Sequence, residues 1–253
     1  MAGHSHWAGI KNKKAAIDAK RGKLFSKLAK NIISAARSGG GDVSMNLHLK
    51  YAIDAAKSAN MPKDNIERAI KRGTGEAGGA AIEELVYEGY GPGGVAILVE
   101  TLTDNRNRTA TDLKTIFNKR GGNLGSSGSV AWKFESKSSF TVSTEDVTEE
   151  TLMDVVLEAG GEDLDRIDDI FEITADPGTF DSLRKALEEK EIPIKTAELT
   201  RIPNSTVEVS DPAQARKVLA LMEAVEDQED VKQAYADFDI PEEVLKQIEA
   251  EGS

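Results

Sequence analysis

Between residues 73 and 81 ("GTGEAGGAA") the chain changes its hydrophobic period, and no fold of a single class accommodates both sides of that change. Upstream the apolar residues recur at helical spacing. "KLFSKLAKNIISAAR" places Leu24, Leu28, Ile32 and Ala35 on one stripe, "MNLHLKYAIDAAKSA" places Leu49, Ile53 and Ala56 on another, and Ile66 and Ile70 form a short third. "GGGDVS" separates the first two helices, with Ser44 expected to cap the second. Pro62 suits the first position of the third helix and Gly73 the residue just past its end.

Downstream the period shortens to that of strands. "IEELVYEGY" and "VAILVETL" are expected as strands joined by "GPGG", followed by a helix over "RTATDLKTIFNKRG" and a strand over "GSVAWKF". A new unit then begins: strand 139–143, helix 149–159, strands 163–167 and 169–174, helix 178–189 and strand 194–201. That order, β-α-β-β-α-β, is the split βαβ arrangement of ferredoxin-like folds. The strand 205–209, helix 211–226 and strand 231–238 fit poorly as a free-standing piece. Added to the strand at 95, the helix at 109 and the strand at 128, they make a second such set. The expected fold is therefore α+β: an N-terminal helical domain followed by two α/β domains with ferredoxin-like βαββαβ units, one inserted in the other. The expected boundaries are a basic arm 1–22, helices 23–73, a linker 74–81, a discontinuous middle domain 82–134 plus 203–240, an inserted domain 135–202 and a C-terminal helix or tail 241–253. In this scheme the loops "GYGPGG" and "GGNLGSSGS" share one edge of the middle sheet, and "TDNRNRT" lies at the opposite edge.

Charge is divided as sharply as periodicity. The whole chain carries a formal −12, yet residues 1–37 hold nine basic side chains and only Asp18 as an acid, a net +8. Through Gly73 the net is +10, which leaves −22 on the rest. Acids are too few near the front for i,i+4 pairing to explain the lysines, whereas a phosphate backbone would use them. The candidate nucleic-acid-binding residues are Lys11, Lys13, Lys14, Lys20, Arg21, Lys23, Lys27 and Lys30, with Trp7 able to stack on a base or to anchor the arm. A solvated basic surface is the plainer alternative. In "TDNRNRT", Asn105, Arg106 and Arg108 precede a helix and could meet base edges or phosphates; an ordinary capped turn, with Asp104 or Thr109 as the cap, is the competing reading.

Several functions lack support. There is no Cys, so neither a disulfide framework nor a thiolate site can form. The longest clean apolar run, "VAILV", is far short of a membrane span, and the N-terminus lacks the apolar stretch of a secretory signal, so a cytoplasmic protein is expected. "GTGEAG" and "GYGPGG" match G-x-G-x-x-G but neither opens a helix after a strand, so neither supplies the helix end that holds a pyrophosphate. The three histidines show no metal spacing, and no nucleophile–base pair stands out. No cofactor, metal, catalytic residue or small-molecule substrate is expected.

Several stretches, "AGHSHW", "KAAIDAKRGKLFSKL", "NMPKDNIERAI", "YEGYGPGGVAI", "TDNRNRT", "GGNLGSSGSVAW" and "EAGGEDL", together resemble the YebC/PmpR family, in the same order and over nearly the whole chain. The resemblance implies a three-domain cytoplasmic protein that binds nucleic acid without catalysis. The family's usual designation is probable transcriptional regulator with DNA-binding activity. Its mitochondrial relatives are translation activators, and a ribosomal role attaches to bacterial members. This sequence departs from the family at His6, where Lys is expected, and at Asn12, where His is common. The expected function is a non-enzymatic DNA-binding transcriptional regulator. The alternatives are a ribosome-associated factor contacting rRNA or tRNA, and an adaptor whose acidic domains bind a basic protein partner.

Overall fold

A computed structural model of the chain describes residues 19–251. It contains a run of three helices followed by two antiparallel four-stranded sheets with helices, so the class is mixed α+β. Two compact units are present: one formed by the described residues up to Ala131 together with Val207 onward, and one spanning Trp132–Thr206 that interrupts it.

In the first unit, α1 (Ala19–Gly39), α2 (Leu47–Ser58) and α3 (Lys63–Gly73) pack on one another. Their stripes meet in a core that includes Ile32, Leu49, Ala56 and Ile66, and Ile82 and Leu102 belong to the same cluster. The helices and the sheet after them therefore share a core across the glycine-rich stretch. Helix α2 is capped by Asn46 rather than Ser44. The Asn46 side chain accepts from Leu49 N–H at 3.0 Å and donates to the carbonyls of Ala35 and Gly40, both at 2.8 Å, tying the helix start to the end of α1. Ser44 instead donates to Asp42. Pro62 is the residue before α3 and not its first, and Gly73 is the last helical residue. A Cβ at Gly73 would lie 2.6 Å from both the Ala36 side chain and the Ile33 carbonyl, so close approach of α3 to α1 requires glycine there.

The first sheet has the order β3-β1-β2-β9, from β1 (Glu83–Tyr90), β2 (Ala96–Thr103), β3 (Asn123–Leu124) and β9 (Val231–Ala236). All its pairings are antiparallel. Helices α4 (Arg106–Lys119) and α7 (Pro212–Glu226) belong to this unit, as does the C-terminal α8 (Glu242–Glu251). The expected second βαββαβ set does not form here. Residues 128–133 make no strand, because the Glu88 carboxylate accepts the N–H groups of Gly128, Val130 and Ala131 (2.6, 2.6 and 2.8 Å) that a ladder would need. The 205–209 segment shrinks to β8 (Val207–Glu208), which leaves the sheet to pair in parallel with β10 (Phe238–Asp239). Fully buried Asp237 breaks the expected 231–238 strand: its carboxylate accepts Ala96 N–H at 2.7 Å and its own carbonyl accepts Val207 N–H at 2.6 Å. The hairpin and the 121–129 loop do meet at one end of the sheet, where β3 pairs with Gly89 and Tyr90.

The second unit is built from β4 (Phe134–Ser143), α5 (Glu149–Glu158), β5 (Gly161–Ile167), β6 (Ile170–Ala175), α6 (Phe180–Glu189) and β7 (Ile194–Pro203). Its strand order, β5-β6-β4-β7, interleaves two βαβ units. Phe140, Val142, Phe171 and Ile173 on the sheet and Leu152, Leu183 and Leu187 on the helices form its buried core. Phe140 and Phe180 pack with ring centroids 5.0 Å apart.

Candidate nucleic-acid interface

The front cations divide into two groups. Lys11, Lys13 and Lys14, and Trp7 beside them, lie outside the described residues; Lys20 and Arg21 fall on the first turn of α1. Further along α1 the lysines turn inward to the end of α7. Lys23 donates to the Asp227 carbonyl at 3.5 Å, Lys27 to the Glu226 carbonyl, and Lys30 to the Glu229 carbonyl at 3.0 Å. These carbonyls are the negative end of α7 and the turn after it, where ammonium groups are favoured. Lys27 and Lys30 are thus engaged within the fold.

Lys30 also pairs with Asp230, whose side chain is fully buried. Around that carboxylate, Arg108 donates through Nη2 to Oδ1 at 3.1 Å and Oδ2 at 3.0 Å, and Thr109 Oγ1 donates at 2.8 Å. Thr109 is itself 2.8 Å from Thr103 at the end of β2, and Leu102 N–H donates to the Asp230 carbonyl at 2.7 Å. One buried acid therefore joins α1, β2, α4 and the start of β9. Burial pushes its pKa up, but the hydrogen bonds from Lys30, Thr109 and Arg108 outweigh burial and hold it at about 2. Arg108 is raised by the same contact, chiefly through its hydrogen bond to Asp230.

"TDNRNRT" accordingly separates residue by residue. Asn105 is the N-cap of α4, its side chain accepting Arg108 N–H at 3.1 Å, and neither Asp104 nor Thr109 takes that role. Asp104 pairs with Arg108 at 3.1 Å and lies 4.0 Å from Arg72 of α3. Arg106 is exposed, and its guanidinium has no ion pair among the described residues; only its carbonyl is used, by the Tyr87 hydroxyl at 3.1 Å. The loop offers solvent one arginine, not two.

Two organising carboxylates escaped the reading of the sequence. Asp230 ends the run "EDQED", which looks like a solvated acidic turn; its only local signal is the sudden onset of strand pattern after it. Glu88 occupies an inward position of an alternating strand, and that is a signal. Burial raises Glu88, and the backbone N–H groups of Val130, Gly128 and Ala131 bring it below the usual carboxylate value. Among the described residues no cluster of His, Asp and Glu could hold a metal ion, and no helix is long and apolar enough to cross a membrane.

Known proteins supply the wider context. Residues 5–76 match the model of the TACO1/YebC protein N-terminal domain, and residues 82–238 match that of the TACO1/YebC second and third domain. The chain belongs to the TACO1/YebC family. Two TACO1/YebC relatives, from Syntrophobacter fumaroxidans and Dictyoglomus turgidum, are 51% and 54% identical over 248 and 249 residues, with 98% of this chain and 100% of each relative covered. Both carry the name "Probable transcriptional regulatory protein". A crystal structure of a conserved hypothetical protein from Aquifex aeolicus is similar at a TM-score of 0.85 and 48% identity, covering 95% of this chain and 99% of that one.

Proposed function

We propose that this TACO1/YebC member is a non-enzymatic, cytoplasmic regulator of gene expression that binds DNA through its basic front end. The observation that carries the reading is the net +8 of residues 1–37, only part of which the fold consumes. Lys27 and Lys30 neutralise the end of α7 and Asp230, so they position α1 rather than grip a ligand. The cations left for phosphates are Lys11, Lys13, Lys14, Lys20 and Arg21, with Lys23 at the margin and Arg106 on its loop. The names of the relatives point to transcription. Each phosphate neutralised releases counterions, so affinity falls steeply with salt, by about 0.9 in log K per log salt for each contact on duplex DNA.

The test is titration of labelled duplex DNA into the full chain and into a variant with Lys11, Lys13, Lys14 and Lys20 changed to Glu. Loss of most affinity and a shallower salt slope support the reading; unchanged binding refutes it. Ribosomal RNA is the second polyanion to consider, because a basic segment ahead of a helix suits irregular RNA as well as duplex DNA. Crosslinking in cells with sequencing of bound DNA and RNA decides between promoters and ribosomes.

A further inference from the structure

The inserted sheet has two unlike faces, and strand register sorts its residues between them. Paired residues of antiparallel strands share a face, and neighbours along a strand alternate. Phe140, Phe171 and Ile173 face the helices. The opposite face carries Ser139 beside Thr174 and Glu198, and Thr141 beside Glu172 and Thr196. On β5 the partners of Thr174 and Glu172 are Asp163 and Asp165, and Glu135 pairs with Ile202 at the other end. No helix of this unit lies on that face.

Its composition is one-sided. Five carboxylates, Glu135, Asp163, Asp165, Glu172 and Glu198, meet a single ammonium, Lys137, and Lys137 is already held by Glu162 at 2.6 Å. The rest of the face consists of hydroxyls and isoleucines, with no aromatic ring on which a base could stack. A four-stranded sheet of this topology binds single-stranded RNA through exposed aromatics and basic neighbours; this face has the opposite charge and would repel a phosphate chain. A groove of about 420 Å³ lies at one end of it, lined by Glu135, Lys137, Glu162, Asp163, Thr174 and Ile202 with Pro203 and Asn204.

We infer that the open face of the inserted sheet docks a basic, extended polypeptide segment of a protein partner. Charge complementarity selects the partner's chemistry, since Lys or Arg side chains would meet the carboxylate rows and nucleic acid would be excluded. Spacing selects its conformation. Asp163 and Asp165 are two residues apart on one strand, about 7 Å, which is the separation of alternate side chains in an extended peptide. The groove accepts one long cationic side chain, whose methylenes would lie against Ile202 and Pro203 and whose head would meet Glu135 and Asp163.

The experiment is fluorescence anisotropy of a labelled twelve-residue peptide of alternating Lys and Thr titrated with the full chain. Wild type should bind it and should not bind the matched peptide of alternating Glu and Thr. Changing Asp163→Asn, Glu172→Gln and Glu198→Gln together should weaken binding at least tenfold. Changing Glu149→Gln, Asp181→Asn and Glu189→Gln, exposed helical acids of the same unit, makes the same change in net charge and should alter binding less than twofold. Equal losses from the two triple variants would reduce the effect to net charge and overturn the inference, as would no loss from the first. A tenfold gain in peptide affinity on Lys11→Gln, Lys13→Gln and Lys14→Gln would also overturn it, because the occupant would then be the chain's own arm. Each variant's thermal midpoint checks that its fold is intact.

Discussion

The two sheets have the same strand number and the same antiparallel pairing, yet they are held in different ways. In the first, β2 is buried along almost its whole length, on both faces: Leu102 joins the core of α1, α2 and α3, while Thr103 on the other side bonds to Thr109 of α4. In the inserted sheet, β6 alternates between buried and half-buried residues, because helices cover only one face. A strand enclosed on two sides needs a continuous apolar run and obtains it in "VAILV"; a strand enclosed on one side needs only alternate apolar residues, and "IFEITA" supplies them. The enclosed sheet must also fix the ends of the elements around it, and buried polar groups such as Asp230 and Asp237 do so.

The strongest test of this difference substitutes neighbouring faces. Ile97→Ala and Leu102→Ala lie on opposite faces of β2, and each should cost about 2–5 kcal/mol in urea unfolding, because each leaves a cavity in a filled core. In the inserted sheet Ile173→Ala should cost a similar amount, but its neighbour Thr174→Ala should stay within about 0.5 kcal/mol. A large loss at Thr174 would mean that its face is covered.

The next effect belongs to Asp230. Asp230→Asn removes the charge that Lys30 and Arg108 share and leaves the Lys30 ammonium almost buried, so a loss of about 3 kcal/mol is expected. Nothing in the inserted unit should respond as strongly to loss of one charge; its Lys137–Glu162 pair is exposed, and Lys137→Gln should cost no more than about 1 kcal/mol.

Acid should separate the units in the same sense. The Asp230 carboxyl titrates near 2 in the folded chain, below its ordinary value near 4, so its contribution is complete above about pH 4 and is lost as the pH falls through about 2. Glu88 is also lowered and acts in the same direction. Between pH 5 and pH 2.5, followed by amide hydrogen exchange, protection at Leu102 and Thr109 should fall in wild type more steeply than in Asp230→Asn. Equal slopes in the two proteins would remove Asp230 from the account.

What could be read in advance follows the same division. The inserted unit was legible because strand and helix follow one another over 139–201 with short connections, and each element buries one face against its neighbours. The three front helices were legible from their stripes, although Asn46 and not Ser44 caps the second. The middle sheet was not, for a physical reason. Its connectivity is set by side chains that replace backbone partners: Glu88 takes the N–H groups of 128–131 and Asp237 those of the β9 exit, and neither substitution leaves a periodic signal. The site suffered in the same way. Counting lysines showed where the positive charge is, but Lys27 and Lys30 have acceptors about 200 residues away in sequence, beyond the reach of any local pattern.

The smallest predicted effect is the most discriminating for function. Arg106 and Arg108 lie two residues apart in one motif. Arg108 holds buried Asp230, so Arg108→Gln should cost about 1 kcal/mol of stability. Arg106 is exposed with no ion pair among the described residues, so Arg106→Gln should leave stability within about 0.5 kcal/mol. If the loop touches a phosphate, the order reverses in binding: Arg106→Gln should lower the salt slope of DNA affinity by about one contact, and Arg108→Gln should leave it unchanged once the fold is saturated. Matching losses of affinity from the two variants would mean that the loop acts through the fold alone, and the contact with nucleic acid would then belong to the cations at the front of the chain.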